Sequence, residues 1–121
     1  LALREDHGPT WAALGSTLFN ARDFQGACVA AQQAVQRTPD EPAAWSLLAY
    51  TERALKRWSE ARDHARVALR YAPHRADWWL LLGECAQRAQ DGPAVEEALG
   101  RLRDLDPAAA RELSRLVKRR P

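Results

Sequence analysis

Tryptophan stands at Trp11, Trp45 and Trp79, and proline at Pro39, Pro73 and Pro107. Both series advance by 34 residues. Two residue types with unrelated chemistry share a period only when the chain is a tandem array, so the repeat has to be read before any single motif. A unit of this length cannot bury its apolar face alone and must stack on its neighbours. The chain is therefore expected to form an elongated stack with one continuous core. Such stacks have long surfaces shared by adjacent units and no deep enclosed pocket, and these surfaces usually bind other proteins.

The register holds at other positions. Leu14, Leu48 and Leu82 follow each Trp by three residues, and the small residues Gly15, Ala49 and Gly83 come next. Further along lie Ala27, Ala61 and Val95, then Ala34, Ala68 and Leu102. Each unit contains two stretches with helical periodicity. The first runs over Pro9–Ala21, Ala43–Leu55 and Asp77–Ala89, where Trp11, Leu14 and Leu18 show the i, i+3, i+7 spacing of one buried face. The second runs over Phe24–Arg37, Ser59–Tyr71 and Pro93–Leu105, with Ala27, Ala31, Ala34 and Val35 on one face, small enough for two helices to approach closely. The proline that closes each unit stops the second helix, because it cannot extend it. Asp91-Gly92-Pro93 reads as a turn with proline near the first helical position.

This pattern resembles the tetratricopeptide repeat (TPR), Trp-x2-Leu-Gly-x2-Tyr, then Ala-x3-Phe, Ala and Pro. The units are residues 8–41, 42–75 and 76–109. Residues 1–7, with Leu1-Ala2-Leu3, look like the remnant of a preceding helix. Residues 110–121 carry Leu113, Leu116 and Val117 at helical spacing, which resembles the extra helix that caps the last repeat. The resemblance implies an all-α, right-handed α-solenoid of antiparallel helix pairs, with seven major helices, no sheet and the three repeat tryptophans largely buried. There are departures from the pattern. The family's Tyr is replaced by Leu18, Glu52 and Ala86, its Phe by Ala31, Ala65 and Leu99, and the turn aromatic by Gly92 in unit three. They predict a thinner aromatic core in the third unit. Trp78, beside the repeat Trp79, reads as either inter-repeat packing near Tyr71 or an exposed anchor.

Chemistry is sparse. His7 and His74 fall in inter-repeat loops and His64 on a second helix, none with a partner at metal-ligand spacing. Asp63-His64 and Glu96-Glu97 are sequence neighbours that diverge on a helix. No phosphate-binding glycine loop or nucleophile elbow is present. Cys28 and Cys85, a whole repeat apart, read as buried free thiols. The chain is therefore read as non-catalytic, without cofactor or metal. Its net charge of +2 is nearly balanced. The cations Arg111, Arg115, Lys118, Arg119 and Arg120 gather in the last helix without interleaved aromatics, which suits a solvated cap better than a nucleic-acid site. No window approaches the roughly 20 apolar residues of a membrane-spanning helix. Alanine- and arginine-rich, lysine-poor usage suggests a bacterial source of high GC content.

In the TPR family the first helix of each pair lines the concave surface, and partners contact the positions there that do not pack inward. Transferred to this chain, those positions give an apolar strip of Phe19, Leu47, Tyr50, Leu80 and Leu81, flanked by Asn20, Arg53, Glu84 and Arg88. One TPR subgroup grips a terminal carboxylate with a Lys/Asn/Asn/Lys/Arg clamp. The matching positions here, Ala12, Ser16, Leu47, Asp77 and Leu81, include no cation, so that ligand is not expected. The expected partner is a protein or peptide segment held in the groove. Two other readings remain open. One is an accessory region of a larger bacterial glycosyltransferase, hydroxylase or sulfotransferase; the other is a self-associating envelope or secretion scaffold.

Overall fold

The structure, a computed structural model, describes residues 7–118; residues 1–6 of the proposed N-terminal remnant over residues 1–7, and the last three residues, lie outside them. Seven helices follow one another in the described residues: α1 (Gly8–Asn20), α2 (Phe24–Arg37), α3 (Pro42–Ala54), α4 (Trp58–Tyr71), α5 (Ala76–Arg88), α6 (Gly92–Leu105) and α7 (Pro107–Lys118). No strand occurs among them. Each odd helix packs antiparallel on the next even one, giving three A–B pairs in a right-handed α-solenoid, with α7 as the cap.

Local chemistry explains the breaks between helices. Each A helix ends on the same device: Arg22, Lys56 and Gln90 adopt positive φ values of 65°, 62° and 60°. The amide that follows each of them donates back to Leu18, Glu52 or Ala86, at 2.8, 2.8 and 2.9 Å. These are Schellman closures, and they satisfy carbonyls that a helix end would otherwise leave bare. Asp23 and Asp91 then cap α2 and α6 by accepting from the amides of Gly26 and Ala94. The equivalent residue before α4 is Arg57, which makes no such cap; its guanidinium donates instead to the Cys28 sulfur at 3.5 Å.

Proline does more than stop a helix. The Trp45 indole donates to the carbonyl of Pro39 at 2.7 Å, and Trp79 to that of Pro73 at 2.8 Å. The two periodic residues are thus the two ends of one hydrogen bond across each inter-repeat turn. Pro107 departs from this pattern because it lies inside the first turn of α7, and Asp106 caps that helix through the Ala109 amide. The cap therefore begins at Pro107, ahead of the expected residue 110. Leu113 stands where a fourth repeat tryptophan would fall and is wholly buried. A Cβ on Gly83 would press on its Cδ2 atom, so glycine is what lets α7 close over α5 as well as α6.

The three repeat tryptophans are largely buried, Trp79 at 5% exposure and Trp11 and Trp45 with a smaller part of each side chain left open. One expectation about the core needs correction: the third unit is not thin. The larger core cluster runs from Ala49 through Trp78, Trp79, Leu81 and Leu82 to Leu113, whereas units one and two share a smaller one of Cys28, Ala31, Ala34, Val35, Ala44 and Leu48. The reason is that Trp78, 3% exposed, is inter-repeat packing and supplies the aromatic volume that Gly92 and Leu99 omit. Both cysteines are free and buried, and burial pushes the Cys85 thiol up to about 12.

Candidate partner-binding groove

The helix contacts decide which face is concave. The backbones of successive A helices approach closely, α1 to α3, α3 to α5 and α5 to α7, while those of the B helices α2, α4 and α6 stay further apart. A stack that is tight along one side and splayed along the other must curve toward the tight side. The A helices therefore line the inner surface, as the resemblance implied.

The candidate strip divides into three parts. Leu47, Tyr50 and Leu80 are half-buried on α3 and α5, rooted against the two core clusters with part of each side chain left open. Leu47 leans over Gly15 and fills the space a side chain there would need. Arg53 and Glu84 join them as a salt bridge of 3.0 Å between α3 and α5, and the Arg53 guanidinium lies 5.0 Å from the Tyr50 ring centroid. Burial raises the Glu84 carboxyl and the Tyr50 hydroxyl above their ordinary values, with Arg53 opposing the shift in both cases. The centre is therefore apolar, with its two charges already paired.

Phe19 and Arg88 belong to the edge by the A–B turns. Phe19 meets Phe24 edge-on at 5.3 Å, and Arg88 lies 4.8 Å from the Trp58 ring centroid. Asn20 is exposed at the end of α1. Leu81 has to be withdrawn from the strip. It is 1% exposed and sits in the larger core cluster, so packing between the helices takes up its side chain and leaves none of it for a ligand. Ser46, beside Leu47 on α3, is buried and donates to the Ala43 carbonyl.

Sequence reasoning missed two features. Arg53–Glu84 and Arg66–Glu97 are each pairs of opposite charges 31 residues apart that bridge consecutive repeats. That offset is three short of the period, one helical turn, and recurring opposite charges at it were the available signal. The other is Glu52, which occupies the family's Tyr position. It is buried and bonded to His64 across the second helix pair. No sequence spacing announces that contact. Among the described residues no group of three or more potential ligands could hold a metal ion, and no helix is long and apolar enough to cross a membrane.

Comparison with known proteins bears on this geometry. Residues 9–51 match the family model described as Tetratricopeptide repeat. No curated protein matches the chain. Among solved structures, the chain is similar to the first TPR of Spaghetti (RPAP3) bound to the HSP90 peptide SRMEEVD. The two share 15% identity and a TM-score of 0.81 over 96% of this chain and 97% of that one. The Arabidopsis OM64 TPR domain is similar at 13% identity and a TM-score of 0.78, covering 94% of this chain and 96% of that one. The TPR2B-domain:pHsp70-complex of yeast Sti1 follows at 17% identity and 0.73, covering 92% and 93%.

Proposed function

This chain is an array of three tetratricopeptide repeats closed by a capping helix, and on that premise we propose a non-catalytic interaction module that holds a partner's peptide segment along its A-helix face. The observation that carries the proposal is the half-buried strip of Leu47, Tyr50 and Leu80. These side chains are rooted in the core yet leave apolar surface facing the groove, with the Arg53–Glu84 pair beside them. An apolar centre beside polar groups whose charges are satisfied is what a recognition surface needs. Two of the structural neighbours are complexes with peptides, which supports a peptide as the ligand class.

The ligand differs from a terminal carboxylate. Ala12, Ser16 and Leu47 offer no cation to such a group, Leu81 is buried, and Asp77 is acidic with its carboxylate already paired to Arg75 at 2.8 Å. The segment is therefore internal, or at least indifferent to a free C-terminus, and binds through apolar side chains.

Selection from a displayed random-peptide library supplies the probe. A selected peptide made with an amidated C-terminus should retain its affinity. Tyr50→Ala with Leu80→Ala should weaken it at least tenfold, because central apolar contacts cost about 2 kcal/mol or more when truncated. Val29→Ala, on the outer face of α2 where Val29 is exposed, should change nothing. The reading fails if amidation abolishes binding, or if the double variant keeps its helical spectrum and binds normally.

A further inference from the structure

Glu52 is a carboxylate in the wrong place for a repeat of this kind. It lies inside α3, 3% exposed, at a position where the flanking units carry Leu18 and Ala86. An unpaired carboxylate taken out of water is strongly disfavoured, so a buried one persists only with a partner. Here the partner is His64 of α4, whose Nδ1 lies 2.6 Å from Glu52 Oε1. The Trp45 ring sits 5.5 Å from the imidazole and shields one side of the pair. The other side stays open: the His64 side chain is 30% exposed, so solvent reaches it to exchange protons.

From this geometry we propose that Glu52 and His64 form a proton-operated latch that holds α3 to α4 in the central repeat and loosens when His64 gives up its proton. With His64 protonated, the pair is a charge-assisted hydrogen bond between opposite charges. With His64 neutral, the same carboxylate stays buried against an uncharged ring, and one of the two compensations for its desolvation is gone.

The surrounding groups leave His64 as the one that titrates near neutrality. On α4 itself, Glu60 and Asp63 add negative charge that favours the imidazolium. Arg57, in the turn between α3 and α4, is a permanent cation engaged with Cys28 of α2. Burial raises the Cys28 thiol above its ordinary value, and takes Cys85 of α5 to about 12, so both stay neutral. Arg53, next to Glu52 on α3, is held by Glu84 of α5. The Glu52 hydrogen bond is the largest influence on His64, and it raises the imidazole above its ordinary value against the opposing effect of burial.

The sign follows from that direction. A histidine whose pKa is higher folded than unfolded contributes stability in full below the unfolded value, and loses it as pH rises through the folded one. The central repeat is therefore most firmly latched in mildly acid solution and loosens toward alkaline pH. Since α3 also carries Leu47, Tyr50 and Arg53, the loosening falls on the middle rung of the inner face. The latch itself does not depend on what occupies that face.

The test uses the whole chain. His64 is titrated through its imidazole proton resonances from about pH 5.5 to about pH 9, a range bracketing the ordinary histidine value of about 6.5. Denaturant midpoints are measured across the same range for the wild type, His64→Gln and Glu52→Gln. The expected result is an elevated titration midpoint for His64, lowered in Glu52→Gln, with a wild-type denaturation midpoint that falls through that pH. His64→Gln should lack that fall. The proposal is overturned if wild-type His64 titrates at or below the ordinary value, or if His64→Gln keeps the wild-type pH dependence. Should Glu52→Gln fail to fold, the wild-type titration and the His64 variant decide the matter.

Discussion

The bond from Trp45 to Pro39 turns two sequence periodicities into one interaction. An indole N–H removed from water needs an acceptor, and a turn between repeats has carbonyls that no helix uses. The 34-residue recurrence of both residues is the trace of that pairing, legible from the chain alone as a register though not as a bond. Truncating Trp45 to alanine removes the bond together with the ring that spans both core clusters. The expected loss is about 3 kcal/mol, the low end for large aromatics, because the ring keeps an exposed edge. Chemical denaturation checks this, and an unchanged midpoint would contradict the register. Other residues were not legible in this way. Leu81 was assigned to the groove by family position, although it is buried in the larger core cluster. Glu52–His64 joins residues whose spacing of 12 follows neither helical nor repeat periodicity, so only the folded pair reveals it.

At the scale of the element, helix existence was readable from apolar spacing, and the boundaries of α1 to α6 fell within one residue of the observed ones. The turn chemistry behind them was not readable. Gly and Asn are the usual residues at left-handed closures, yet here the three A helices end on Arg22, Lys56 and Gln90. A side chain at positive φ costs roughly 1–2 kcal/mol, which glycine avoids while giving back part of the gain in unfolded-state entropy. Lys56→Gly should therefore stabilise the protein by about 0.5–1 kcal/mol. Lys56→Val, branched at Cβ, should do the opposite. A thermal shift of the same sign for both would show that the closure is not what limits the turn.

For the molecule as a whole, the contact pattern is one-dimensional. Each helix touches its sequence neighbours, each A helix also touches the next A helix, and nothing joins α1 and α2 to α5, α6 or α7. In such an array stability is a sum over units and their interfaces, so damage should stay near where it is made. The C-terminal end offers a clean site for this test. Leu113 is wholly buried in the position of a missing fourth tryptophan, over Gly83 and inside the larger core cluster. Leu113→Ala should cost about 2–5 kcal/mol, as a large-to-small change at a closely packed position. The loss should appear first in hydrogen exchange at α5, α6 and α7. The amides of α1 and α2 should hold their protection in water until the whole array opens, since their own interface is untouched. A uniform fall in protection across all seven helices would mean instead that the repeats unfold as one unit. In that case the inner face would loosen together from end to end, rather than fraying from the cap.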